Sequence, residues 1–403
     1  MNATDPIEEF DARHSVSFLR TMALALRGPL ARKHTILAVC PTSAAVVRGA
    51  LAAVSEARAP LLFAATLNQV DCDGGYTGWT PHAFSDFVLH AHRRNENVSP
   101  VVICLDHGGP WKKDHHRTAG LSFDQTWDAV VQSMTACRKA GYALFHVDCT
   151  TDIRLPRGAQ VDVDDLAERT VTLMRSVVDS GDPVAFETGV EEQRAERDRF
   201  DSFFRVFDRK RGDLPRPIFA VGDLGTALDV SHFDPSRARG LVRKAAAFGA
   251  LVKGHYTDAV VDPSIYPSCG IGAANVGPGL AMVEYDALMD LEAKEHRLGG
   301  KSDFSATLRS ALIKSGRWRK WCLPEETTTF DRLSPERQRW LLRTGSRYIW
   351  KHPDVVASRQ LLCKNIRDVC NGGAFVESRI KDAVLRYIRA FNLVGFTDRM
   401  ARL

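Results

Sequence analysis

No stretch of eighteen consecutive apolar residues occurs in the 403-residue sequence, whereas a membrane-spanning helix needs roughly twenty. The opening residues, MNATDPIEEF, lack the charged-then-apolar order of a secretion leader, so the expected location is the cytoplasm. There is no CxxC pair, and the nine cysteines are odd in number and dispersed. That argues against a disulfide framework and against a structural zinc finger and makes most of them expected core thiols. Neither a P-loop pattern nor a strand-turn-helix dinucleotide fingerprint is found, which argues against nucleotide binding, and no solenoid repeat is apparent. Charge is not concentrated either. The net +5 is scattered, and its denser spots, RWRKW and RDRFDSFFRVFDRKR, also carry aromatics or acids. This is a poor footprint for nucleic acid and a weak one for acidic small substrates.

What remains is the composition of a soluble globular protein, 44% apolar and 26% charged. From residue 35 to about 298, short strand-like apolar runs alternate with longer amphipathic stretches, the pattern of repeated β-α units. The runs are TILAVCP, PLLFAATL, VVICLD, ALFHVD, VAFETGV, PIFAVGD, LVKGHYT and IGAANVG. Eight of them predict a TIM (β/α)8 barrel over residues 31–298. Among the helical windows, LSFDQTWDAVVQSMTACRKAG sets Phe123, Trp127, Val130, Met134 and Cys137 at spacings of three and four, an apolar stripe. Beyond the polar loop RLGGKSDF the pattern is helical only. Residues 299–403 are therefore read as a helical C-terminal extension, and residues 1–30 as an N-terminal segment.

Catalytic groups of such barrels stand at the C-terminal ends of strands. Here those ends carry Asn68 and Gln69, Asp106 and His107, His146 and Asp148, Glu187, Asp223, Lys253 and His255, and Asn275. Any one buried polar residue is ordinarily structural; seven strands delivering at least one each to a single rim point to an active site. His146 and Asp148, two apart, share a face of their strand. His107, Glu187 and His255 would supply two imidazoles and a carboxylate to a divalent ion, zinc being favoured by nitrogen ligands with manganese or nickel compatible. A metal-free polar pocket is the open alternative. The tract DHH at 114–116 is read as a solvated loop or substrate-facing lid, because adjacent loop residues seldom ligate one ion. The glycine-rich DGGYTG and GIGAANVGPG could offer backbone N–H groups to phosphate or simply turn tightly. Trp318, Trp321, Trp340 and Trp350 are expected in the core of the tail.

The segments LNQVDCDGGYTGWTPHAFSDFV, CLDHGGPW, AGYALFHVDCT, GHYTDAVVD, NVGPGL and SRYIWKHP resemble the non-catalytic subunit of class II D-tagatose-1,6-bisphosphate aldolase and its relatives, in order and from about residue 30 onward. The resemblance implies a barrel akin to the metal-dependent ketose-bisphosphate aldolases, with relatives that either support a catalytic aldolase chain or act as tagaturonate or tagatose-phosphate epimerases. Asp106 and His107 stand where related aldolases keep an acid and a metal-ligating histidine, and His255 falls in an HSTD-like motif. Two departures are visible. The GTEV motif reads FETGV, so Gly189 occupies the glutamate position and Glu187 is displaced; FDH reads LDV, leaving His232 as the nearby imidazole.

The expectation is a metal-dependent sugar or ketose-phosphate epimerase of retro-aldol type. Its metal ligands are drawn from His107, Glu187, His232 and His255, and Asp106, Asp148 and Glu187 are its catalytic candidates. Asn68, Gln69, His146 and Asn275 would bind substrate. Arg347 is a candidate phosphate clamp, a guanidinium fork matching phosphate, or else forms a plain salt bridge. The partner would be a small sugar or sugar phosphate, with a homo-oligomer compatible and no nucleic acid or membrane involved. Two alternatives stay open: a non-catalytic chain that stabilises a class II aldolase subunit, and an isomerase barrel using acid-base groups alone.

Overall fold

The computed structural model of the protein describes residues 12–94, 99–156, 158–178, 183–190, 199–228, 233–326 and 329–402. Eight parallel strands close a barrel in chain order: β1 (Ile36–Val39), β2 (Leu61–Thr66), β3 (Val101–Gly108), β4 (Leu144–Val147), β5 (Ala185–Gly189), β6 (Phe219–Val221), β7 (Leu251–Gly254) and β8 (Ile271–Val276). Seven of the eight apolar runs hold one of them, and VVICLD begins the other, β3, which runs two residues further to Gly108. Strands covered by helices outside and by their own side chains inside have no solvated face, which is why they read as continuous apolar runs rather than as alternation. The structure is thus a TIM barrel with a helical C-terminal region.

Local signals set the helix ends. Ser43 accepts from the Val46 amide, and Ser122 and Gln125 form a reciprocal capping box. In the helix Phe123–Lys139, Val130, Met134 and Cys137 are buried as the stripe predicts. Phe123, at the first position of the helix, is half-buried and lies under two guanidinium groups, Arg154 and Arg169, at 4.7 and 5.0 Å. The N-terminal segment contains the helix Ala12–Arg27. Its Ala23 and Arg27 share a cavity wall with Val184, Ile218 and Gly249, which lie just before β5, β6 and β7, so this helix closes the mouth opposite the candidate site.

The extension packs on one side of the barrel, with Gly372–Ala390 lying against the helices Ala44–Ala57 and Pro278–Arg297. Three buried glutamates of Pro278–Arg297 tie it down. Glu284 accepts from Ser43 (2.5 Å) and Arg359 (2.8 Å). Glu292 accepts from the Ser305 amide (2.8 Å), and Glu295 from Ser302 and Asn365 (both 2.5 Å). Trp318 and Trp350 are buried, as expected, whereas Trp321 and Trp340 are half-buried beneath Arg347 and Arg337. All nine cysteines are free; four are buried and Cys72 is exposed. Among the described residues no helix is long and apolar enough to cross a membrane.

Candidate functional site

An irregularity in β3 builds the centre of the rim. Leu105 pairs with Phe145 of β4 and Gly108 with Val147, so β3 spends three steps where β4 spends two. The extra residue is a β-bulge, and His107 within it takes φ 51°, a left-handed conformation that costs a non-glycine residue roughly 1 kcal/mol. In a regular strand Asp106 and His107 would face opposite sides of the sheet. Here both reach the same group of rings. Asp106 Oδ1 lies 3.3 Å from His146 Nδ1, and the His107 ring centre is 4.7 Å from that of His146 and 4.8 Å from that of His255.

Asp106, His107, His146 and His255 bring one ligand atom each within 4.8 Å of one another. Three imidazole nitrogens and a carboxylate oxygen form a donor set that suits a catalytic divalent ion. The charges around them fit as well. Three buried carboxylates, Asp106, Asp148 and Glu187, face two buried ammonium groups, Lys112 and Lys253. With neutral imidazoles this leaves one negative charge in excess, and an uncompensated buried charge costs several kcal/mol. A bound cation offsets it.

The neighbours of these ligands are themselves fixed. His107 Nδ1 donates to Asp148 Oδ2 at 2.6 Å, which directs Nε2 towards an ion, as carboxylate-histidine pairs at metal sites do. Asp148 is also held by Lys112 (2.9 Å) and Thr150 (2.5 Å). Burial pushes the Asp148 carboxyl up, but Lys112 and His107 outweigh it and hold the group well below the usual range. Asp106 is likewise held low against burial by His107, Lys253 and His255, the two imidazoles acting so in their protonated, ion-free form. Glu187 is gripped through both oxygens by Lys253 Nζ, at 2.6 and 2.9 Å. Burial opposes the Lys253 charge, yet Glu187 and Asp106 raise its pKa above the ordinary lysine value. It is a fixed cation rather than a free amine.

The residues singled out from sequence divide accordingly. Asp106, His107, His146 and His255 come together, and Asn275 joins them by donating to Asp106 Oδ2 at 3.0 Å. Glu187 lies 3.5 Å from His146 Nδ1 but is committed to Lys253. His232 lies outside the described residues. Asn68 bridges Lys112 O and the Asp114 amide (3.1 and 2.8 Å), and Gln69 accepts from the Thr66 amide (2.8 Å), so both shape the loop that follows β2. Arg347 is buried, hydrogen-bonded to Thr344 O and to the Tyr348 hydroxyl, and stacked 5.1 Å over Trp321. Asp223 pairs with Arg237 at 2.7 Å.

Gly189 has a physical reason to lack a side chain: a Cβ there would stand 1.8 Å from Val221 O. The DHH tract is not a loop. It opens the short helix Asp114–Thr118, and Asp114 ties it to the tail through Arg317 (2.9 Å) and Lys320 (2.8 Å). Sequence reasoning missed Lys112, Thr150 and Asp258. Lys112 directly follows the GGPW turn, and its position there was the available signal.

Comparison with known proteins agrees with this architecture. Residues 23–185 match the model of the GatZ/KbaZ-like family, described as D-tagatose-1,6-bisphosphate aldolase subunit GatZ/KbaZ-like. The matched span contains Asp106, His107, His146 and Asp148 and stops before His255. A probable tagatose 6 phosphate kinase from Sinorhizobium meliloti 1021 superposes with a TM-score of 0.74 at 23% identity, over 88% of this chain and 100% of that one. Fructose-bisphosphate aldolase (Fba) from Campylobacter jejuni does so with a TM-score of 0.57 at 10% identity, over 94% and 95%. At these identities the structures share the fold.

Proposed function

Taking the resemblance of residues 23–185 to the GatZ/KbaZ-like family as premise, we propose that the protein is a metal-dependent epimerase of sugars or ketose phosphates, working by retro-aldol cleavage and re-addition. The observation that carries this reading is the meeting of Asp106, His107, His146 and His255, from separate strand ends, within 4.8 Å. Zinc suits three nitrogen ligands best, and manganese and nickel are compatible. A divalent ion held by His107, His146 and His255, with a position left open beside Asp106, would supply Lewis-acid polarisation of a ketose carbonyl and lower the proton affinity of a neighbouring hydroxyl.

The chain's own groups do the rest. Asp148 fixes the His107 ring. Asp106, ionised and steadied by Asn275, takes the proton from the hydroxyl beside the breaking carbon-carbon bond. The bonding electron pair passes to the carbonyl-bearing fragment, and the other fragment becomes an aldehyde. When the aldehyde presents its opposite face, the bond re-forms, the proton returns to oxygen and the configuration is inverted. Glu187 and Lys253 neutralise each other beneath the rim and take no proton in this scheme.

Metal analysis of the purified protein, then turnover of ketoses and ketose phosphates with and without chelator, tests the proposal. His107→Ala is expected to lose the bound ion and to lower kcat/KM by more than the roughly 100-fold that follows loss of a mere supporting partner; unchanged activity would remove the ligand set. The word "subunit" in the family description favours one other reading, a non-catalytic chain that stabilises an aldolase partner. That reading predicts no ion, no turnover alone, and co-elution with a class II tagatose-bisphosphate aldolase.

A further inference from the structure

Barrels of this type commonly bind phosphate at the loops after strands seven and eight, where a helix N-terminus adds its backbone N–H groups. In this protein that position is filled from within. The helix Pro278–Arg297 follows Gly277, and the N–H groups of Gly277 and Gly279 both donate to Asp258 Oδ1, at 2.9 and 2.8 Å. A Cβ on Gly279 would come within 2.7 Å of the same oxygen, so only glycine lets the carboxylate sit so near the backbone. The second oxygen, Oδ2, is buried with no hydrogen-bond partner. The buried Arg347 guanidinium is near enough to act electrostatically on Asp258. Two convergent N–H groups, a helix N-terminus and a guanidinium are what a phosphate would use, and here they serve a resident carboxylate.

The position adjoins the candidate centre on both of its strands. Asp258 follows His255 by three residues, and Gly277 follows Asn275 by two. We propose that Asp258 determines specificity by closing this phosphate position, so that the sugar handled here presents hydroxyl groups, not a phosphate, to the loops after β7 and β8. A phosphate entering there would bring close to two negative charges against an existing one and would find its donors already engaged. Driving Asp258 out would leave a buried anion without partners, a loss that no single new contact offsets. A sugar hydroxyl meets neither obstacle, and Oδ2 can accept its hydrogen bond.

This inference deepens the epimerase reading and rests on it for what is turned over, but its binding test does not need catalysis. Wild type, Asp258→Gly and Asp258→Asn, each as the full chain, are titrated calorimetrically with inorganic phosphate, D-tagatose and D-tagatose 6-phosphate; turnover of the two sugars is measured with added zinc or manganese. The expected result is no phosphate binding by wild type, a gain of at least about tenfold in phosphate affinity for Asp258→Gly, and a smaller gain for Asp258→Asn. Phosphate bound by wild type as tightly as by Asp258→Gly, or preferential binding or turnover of the phosphorylated sugar by wild type, would overturn it. So would a folded Asp258→Gly without gain; if that variant does not fold, Asp258→Asn and the wild-type preference decide. Failure of wild type to turn over either sugar would instead sink the epimerase reading, leaving the phosphate titrations to judge Asp258 alone.

Discussion

The arc of the rim built by β3 and β4 and the arc built by β5 to β8 serve one centre in different ways. The first supplies most of the ligand atoms and orients them locally: Asp106, His107, His146 and Asp148 lie on neighbouring strands and touch one another. The second adds one ligand, His255, and otherwise manages charge. Lys253 neutralises Glu187, Asn275 steadies Asp106, and Asp258 occupies the amides at the head of the last barrel helix. A chelating group is thus concentrated in one arc, where Lys112 balances only Asp148, while the buried Lys253–Glu187 pair beneath the centre comes from the other.

Breaking the balancing arc is expected to have the largest effect on stability. Glu187→Gln leaves the fully buried Lys253 ammonium with Asp106, 3.8 Å away, as its nearest remaining anion. The variant should lose about 3–5 kcal/mol in denaturant unfolding, and adding Lys253→Met should restore most of it. A single-variant cost below about 1 kcal/mol would mean that this arc does not govern charge. Next comes the orienting carboxylate of the first arc. Asp148→Asn should keep the fold yet weaken ion binding by roughly 10- to 100-fold in a metal titration, and undiminished affinity would show that His107 needs no such partner.

The smallest effect concerns Asp258. Burial raises its carboxyl to about 6, against the lowering influence of the Gly277 and Gly279 amides and Arg347. Cys40 and Tyr387, also close enough to feel its charge, keep their protons across this range. A carboxyl that holds its proton more tightly folded than unfolded costs stability as pH rises from about 4 to about 6, and the cost stays constant above that. Asp258→Asn should therefore be more stable than wild type by on the order of 1–2 kcal/mol at pH 7.5, with the difference vanishing near pH 4. Equal stability across that range would mean that the second arc carries no such penalty.

The barrel was legible because each strand is apolar on both faces and bounded by turns, a pattern that survives without any knowledge of neighbours. The rim was legible as a set of strand ends. What could not be read was commitment, the partner each polar group had already taken. Glu187 looked available as a ligand, but Lys253, which claims it, lies 66 residues away. Asn68 and Gln69 looked like hydroxyl binders, but Asn68 is engaged by backbone groups of the stretch after β3 and Gln69 by the Thr66 amide of its own loop. His146, read as a substrate contact, also stands among the imidazoles. The adjacency of Asp106 and His107 defied simple alternation because the bulge that permits it depends on pairing with β4. Arg347 seemed a clamp from the tail, yet its aromatic neighbours enclose it.

The three inward glutamates on the last barrel helix bear on how the protein can be shortened. A version ending at residue 298 would retain Glu284, Glu292 and Glu295 while discarding Arg359, Ser302, Ser305 and Asn365. Acidic groups would be stranded on an oily flank that the missing helices once roofed. The change of pattern near that residue is a seam in the text of the chain, not a line along which the folded object can be cut.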